Sequence, residues 1–334
     1  LGVVGAIIPW NFPIILLAFK LPAALLAGNT VIVKPAPTTP LSALHLASLI
    51  ADVLPAGVVN IIADNNDLGD KITTHKGISK ISFTGSTATG ARVMASAAST
   101  LKRITLELGG NDAGIIMDDV DVEAVAPQIF DGAFGNNGQI CIAMKRVYAH
   151  ESIYDNLVDQ LAKLAEEAIV GNGLEQGTQL GPLQNKMQFE KVKDYIEDAR
   201  ANGTIVAGGE VPESKGYFIP PTIVRDIDDD SRLVSEEQFG PVLPVIKYDD
   251  VDDVIERANN SDYGLGGSVW SSDIDRAYEV AKKVDSGTIW VNKHADLQPH
   301  VPFGGIKTSG IGTELGTDGL NEFTQRKVIN VAKG

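Results

Sequence analysis

Cys141 is the only cysteine among 334 residues, and it lies in the run GNNGQICIAMKR. A lone thiol makes no internal disulfide and is too few for a cysteine-based metal site. Two readings remain open at this point, a small buried core residue or a nucleophile. Gly135, Asn136, Asn137 and Gly138 form an irregular polar approach that is poor material for a core strand. A glycine-rich turn running into a helix there would bring the sulfur near unpaired backbone N–H groups, which favour thiolate over thiol. Anion chemistry is offered by FTGSTATG at 83–90. Ser86 and Thr87 can cap a helix start whose N–H groups face an anion, and Gly85 lets that anion come close. The run IADNNDLGD is a weaker candidate of the same kind, and no GxGxxG follows any strand-like segment. His294 and His300 have no third ligand beside them, so no metal site is assigned.

These residues need a scaffold, and the chain is long enough to provide a large one. With 44% hydrophobic residues it supports two domains rather than one. The 43 acidic residues outnumber the 28 basic ones, giving a net charge of −15. That balance repels phosphate backbones and anionic lipid, so neither nucleic acid nor a membrane surface is an expected partner. Apolar stretches such as 14–17 and 23–27 are interrupted by Lys20 and Pro22, short of a membrane span, and no basic segment precedes an apolar run. A soluble cytoplasmic protein is the expectation. Residue 1 is Leu rather than Met, and LGVVGAIIPWNFP starts as a strand already under way. The chain is therefore expected to be the C-terminal portion of something longer.

Short Val- and Ile-rich runs alternate with helical patterns, which predicts parallel sheets covered by helices. In the first part strands are predicted at 3–8, 30–33, 58–62 and 78–83, with helices at 39–53, 67–74 and from Ser86 to 98. In the second part helices are predicted at 153–170, 187–201, 251–258 and 274–284. Strands there are predicted at 147–150, 204–207, 242–248, 267–270 and 288–291. The boundary is expected within 109–118, and the tail 327–332 reads as a short strand that pairs with another subunit or closes its own sheet. The 34 glycines and 16 prolines are dispersed at turn positions, so no flexible linker is expected.

Taken together, PWNFP at 9–13, VKPAP at 33–37, FTGST at 83–87, LELGG at 106–110, GQICIA at 138–143, EEQFGPV at 236–242 and PFGGIKTSGIG at 302–312 resemble the aldehyde dehydrogenase superfamily. The resemblance covers nearly the whole chain. It implies an α/β fold: a Rossmann-like parallel-sheet cofactor domain at 1–110, incomplete at its N-terminus, then a catalytic domain at 111–312. Residues 313–334 are expected to return to the cofactor domain and to an oligomer interface.

The resemblance makes Cys141 the nucleophile that forms a thiohemiacetal and then a thioester. It places the Asn11 amide and the Cys141 backbone N–H on the oxyanion. Glu107 matches the base that activates water, and its place between apolar residues and a glycine pair would raise its pKa. CoA-acylating relatives typically lack that base, so Glu107 implies release of a free carboxylic acid. Lys20 and Glu314 match a proton-relay pair. For the cofactor, NAD or NADP, the resemblance points to Trp10 and Lys34 around the adenosine and its ribose, Ser86 on the pyrophosphate, Glu237 on the nicotinamide ribose and Phe239 beside the ring, with Ile8, Pro9 and Gly85 also among the cofactor-binding residues. Many NAD-preferring members carry a Glu three residues after that Lys; this chain has Pro37, and NAD is only weakly favoured.

Phe12, Leu16, Phe19, Ile140, Ile142 and Phe303 match the aldehyde tunnel, with 293–301 as one wall. The implied reaction is oxidation of an aldehyde to a carboxylic acid by a homodimer or homotetramer. One alternative is a semialdehyde dehydrogenase whose substrate has a second polar end. Another, of a different class, is an inactive truncated remnant with a binding or structural role.

Overall fold

The computed structural model describes residues 1–333, and its contacts divide the chain into two units. The first unit comprises Leu1–Glu107, Leu297–Gly304 and the segment from Gly310 onward. Its strands are β1 (Val3–Ile7), β2 (Thr30–Lys34), β3 (Val59–Ile61), β4 (Lys80–Thr84) and β5 (Arg103–Glu107), joined by a two-residue strand, Gly310–Ile311. Across the sheet the order is Gly310–Ile311, β5, β4, β1, β2, β3. All pairings are parallel except that of Gly310–Ile311 with β5. The chain winds outward from β1 to β3, then returns to lay β4 on the other side of β1. That reversal is a topological switch point, where open α/β sheets bind ligands beyond the strands' carboxyl ends.

Every residue of β4 is buried, as a central parallel strand requires. Helix Pro13–Leu26 starts on a proline, whose missing N–H costs nothing in a first turn. Its Leu17, Leu21 and Ala24 pack with Val4, Ala6, Val31, Val33 and Phe323 to form the core.

The second unit comprises Leu108–Asp296 and Gly305–Ser309. Its strands are β6 (Asp112–Ile116), β7 (Met144–His150), β8 (Thr204–Ala207), β9 (Thr222–Arg225), β10 (Val242–Tyr248), β11 (Tyr263–Gly264), β12 (Gly266–Trp270) and β13 (Thr288–Val291). The main sheet runs β13-β12-β6-β7-β10-β9-β8 and is parallel apart from β8. β11 pairs separately with Ile306–Lys307. Helix Tyr154–Glu167 buries Tyr154, Leu157, Val158, Leu161 and Ala165, the one-sided spacing that seats a helix on a sheet.

Several expectations need correction. The tail 327–332 does not close the sheet of its own chain, and Val328, Ile329 and Val331 are exposed. The stretch 109–118 holds a strand that was not predicted, Asp112–Ile116, which is wholly buried. The division falls between Glu107 and Leu108, and 297–304 and 310–312 cluster with the first unit. The turn before Cys141 leads into strand β7 rather than a helix. The helices Pro13–Leu26 and Val122–Phe134 were not foreseen, because each carries an internal proline, Pro22 or Pro127, that breaks the pattern. Among the described residues, no helix is long and apolar enough to cross a membrane.

Candidate active site

In the first unit the candidate residues gather at the carboxyl edge of the sheet. Ile8 continues the ladder from β1 by donating its N–H to Lys34 O at 3.0 Å, and Pro9, Trp10 and Asn11 follow it. Lys34 ends β2, and its ammonium pairs with Asp64 at 3.1 Å, both side chains being buried. Gly85 and Ser86 follow β4. Ser86 caps the helix Thr87–Ala98, its Oγ accepting from the Thr89 N–H, as expected.

Glu107 is the last residue of β5, 4% exposed, and neither carboxylate oxygen has a hydrogen-bond partner among the described residues. Burial pushes its pKa well above the usual carboxylate range, with Glu314 adding to the rise and Lys20 opposing it. Lys20 donates to Glu314 Oε1 in a buried ion pair, so these sequence-predicted residues do come together. Glu314 is held by a mutual backbone bridge with Phe303, at 2.8 and 2.7 Å. The glycines of PFGGIKTSGIG make this packing possible: Gly310 sits at φ +154, and a Cβ there would lie 2.1 Å from Leu106 O.

In the second unit the candidates lie at the amino edge of β6, β7 and β10. Cys141 is a turn residue, partly buried, between helix Val122–Phe134 and β7. The approach is a single 3₁₀ turn in which Asn136, Asn137 and Gly138 have φ of 50, 57 and 68. Asparagine and glycine tolerate that left-handed region best. At Gly138 a Cβ would also lie 2.5 Å from Gly240 O.

Side chains pin the turn by its carbonyls. Lys145 Nζ donates to Ile140 O at 2.8 Å and Cys141 O at 2.7 Å. His294 Nε2 reaches Ile142 O at 2.7 Å and Nδ1 reaches Ser268 Oγ at 3.0 Å, an oxygen that also accepts from Trp270 Nε1. Burial pushes the His294 pKa down to about 4, so the ring is neutral near pH 7 and donates through Nε2. His294 thus holds the turn that carries Cys141, and among the described residues no group of three or more His, Cys, Asp and Glu could hold a metal ion.

Glu237 lies nearby in the same unit, its Oε1 accepting from Gly110 N–H at 3.0 Å and facing Lys145 at 3.8 Å. Burial raises its pKa, against the pull of Lys145 and the Gly110 amide. A Cβ on Gly109 would lie 2.4 Å from Glu237 Oε2, so only glycine leaves that oxygen accessible. Each unit by itself has features that fit part of a dinucleotide: the first a switch point and a capped helix start after β4, the second a buried carboxylate with a glycine cradle for a hydroxyl donor.

Asp112, Asp64 and Lys145 were missed in the sequence. Lys145 and Arg146 are consecutive cations in the otherwise apolar AMKRVYAH, a signal that a buried polar cluster needs them. Asp112 Oδ1 accepts from Gly266 N–H at 3.1 Å, while Oδ2 has no partner among the described residues. Burial raises its pKa from 3.8 to about 7, with Lys145 and Arg146 opposing. A folded-state pKa above the unfolded value means stability fully present below about pH 4 and lost as pH rises through about 7. The loss is on the order of 4 kcal/mol. Asp112→Asn is expected to gain in melting temperature relative to the wild type between about pH 5 and about pH 8. Melting curves at both pH values that show the same difference would refute this account.

This arrangement has known counterparts. The aldehyde dehydrogenase family model matches residues 1–329. The mitochondrial aldehyde dehydrogenase of Leishmania tarentolae is 46% identical over 336 residues, covering 99% of this chain and 68% of that protein. Human aldehyde dehydrogenase 1A1 is 44% identical over 335 residues, covering 99% of this chain and 67% of that protein. Among solved structures, the NAD+ complex of the Bacillus cereus aldehyde dehydrogenase superposes with a TM-score of 0.95 at 45% identity, over 97% of this chain and 67% of that one. The Mycobacterium tuberculosis aldehyde dehydrogenase complexed with NAD+ gives 0.95 at 41% identity, over 98% and 68%. The chain belongs to the aldehyde dehydrogenase family. As an enzyme of that family it oxidises aldehydes with NAD(P), and it spans about two thirds of the length of these relatives.

Proposed function

We propose that the enzyme converts an aldehyde to a free carboxylic acid through covalent attachment to Cys141. The Cys141 thiolate adds to the carbonyl carbon, and the Asn11 amide and Cys141 N–H donate to the oxyanion. When bound, the nicotinamide would supply the hydride acceptor, and loss of hydride from the Cys141 adduct leaves a thioester. Glu107 then takes a proton from the attacking water, and Lys20 and Glu314 carry that proton onward. The observation that carries the hydrolytic reading is the Glu107 carboxylate, buried with both oxygens lacking hydrogen-bond partners among the described residues. Such a group holds its proton more tightly than a solvated carboxylate and is a stronger base.

For the cofactor, Glu237 and Phe239 would hold the nicotinamide ribose and ring, Ser86 the pyrophosphate, which Gly85 would let approach, and Trp10 and Lys34 the adenosine and its ribose, with Ile8 and Pro9 also on the cofactor side. NAD is weakly favoured over NADP: Asp64, paired with Lys34 at 3.1 Å, offsets the positive charge that would otherwise attract a 2′-phosphate. A reducing cytoplasm suits a catalytic thiol, and the assembly is a homodimer or homotetramer.

The test is a panel of aldehydes, each with NAD and with NADP, followed by nicotinamide absorbance. Turnover faster with NAD is expected. A panel in which no aldehyde reduces either nucleotide would sink the proposal.

A further inference from the structure

Lys145 is a buried ammonium, its side chain 2% exposed, at the start of β7. It has a use that the chemistry above does not assign. Its short contacts go to backbone carbonyls of the nucleophile turn: Cys141 O at 2.7 Å, Ile140 O at 2.8 Å and Ala143 O at 3.5 Å. Glu237 lies at 3.8 Å, and the Phe239 ring centroid at 6.0 Å. An ammonium has only donors, so carbonyl oxygens satisfy it without cancelling its charge.

The other charged and titratable groups around this centre are Asp112, Arg146, Lys191, Glu237 and His294. His294 is neutral near pH 7. Burial pushes Asp112 toward its uncharged form, and Arg146 stands beside it. Glu237 is balanced by the Gly110 amide and Lys191 as well as by Lys145. A positive charge is thus anchored to the main chain of the cysteine itself, in a medium where charges act more strongly than in water.

We propose that Lys145 is a positioning residue that fixes the Cys141 turn by its carbonyls and supplies the positive charge favouring the thiolate. The proposal rests on Cys141 being the nucleophile. The sequence offers a clean readout, because with one cysteine every alkylated thiol is Cys141.

The experiment measures the rate of iodoacetamide alkylation against pH in nucleotide-free protein. It compares the wild type with Lys145→Gln, Lys145→Met and Lys145→Arg. The Gln amide can still donate to the carbonyls and so preserves the turn without the charge, while Met removes both functions. In the Gln and Met variants the midpoint is expected to rise by about one pH unit or more, with alkylation near neutral pH roughly tenfold slower. Lys145→Arg, which keeps the charge, is expected to stay near the wild type. A Lys145→Gln profile that superposes on the wild type overturns the proposal, whatever Met does. Failure of the underlying reading looks different: wild-type protein fully alkylated at Cys141 would keep oxidising aldehydes.

Discussion

Cys141→Ser is expected to lower aldehyde oxidation by at least about a thousandfold, leaving only what binding and oxyanion stabilisation supply. The reason is the protonation state of the attacking atom. A serine hydroxyl is a weak nucleophile at neutral pH, and a thiol ionises far more readily. Nothing in the turn would compensate. Lys145 and His294 bind carbonyls of residues 140–142, so the loop keeps its shape with either side chain. Nucleotide affinity, read by fluorescence quenching, is therefore expected to stay within about twofold of the wild type while turnover collapses. Turnover within about tenfold of wild type would rule out Cys141 as the covalent centre.

Glu107→Gln is the second large effect, and it separates the halves of the reaction. Acyl transfer to Cys141 does not need this base, so rapid mixing is expected to show a burst of reduced nucleotide. Steady turnover should fall by about 10²–10⁴-fold, the usual contribution of a positioned general base. The pH dependence follows with a definite sign. The base works ionised, and burial, reinforced by Glu314 against Lys20, raises its pKa. Wild-type turnover should decline on acidification at a pH above the ordinary carboxylate range, and Glu107→Gln should lose that limb. Unchanged steady turnover in the variant would remove Glu107 from the deacylation step.

Much of the fold was legible because its strands read as short Val- and Ile-rich runs between helical patterns. The strands Thr204–Ala207, Val242–Tyr248 and Thr288–Val291 have the predicted bounds. Helices with internal prolines, Pro13–Leu26 and Val122–Phe134, were hidden because tertiary packing outweighs a local breaker. Strands as short as Gly310–Ile311 leave no periodicity to detect. Strand order was also out of reach, since it depends on pairings between distant segments such as β1 with β4.

For the site, the residues became visible through the conjunction of motifs rather than singly. The support around them stayed hidden. Asp64, Asp112 and His294 act through contacts between segments far apart in sequence, and no spacing rule encodes them, while Lys145 folds back on carbonyls of the adjoining turn.

The antiparallel strand Gly310–Ile311 sets an order of assembly. It closes the sheet beside β5, and Glu314 follows it toward Lys20 and Glu107. During synthesis the β5 side of that sheet stays open until residues 310–311 have left the ribosome. Until then Glu107 lacks the Glu314 carboxylate that adds to the rise in its pKa, so the segment carrying Cys141 is made before the surroundings of Glu107 are complete.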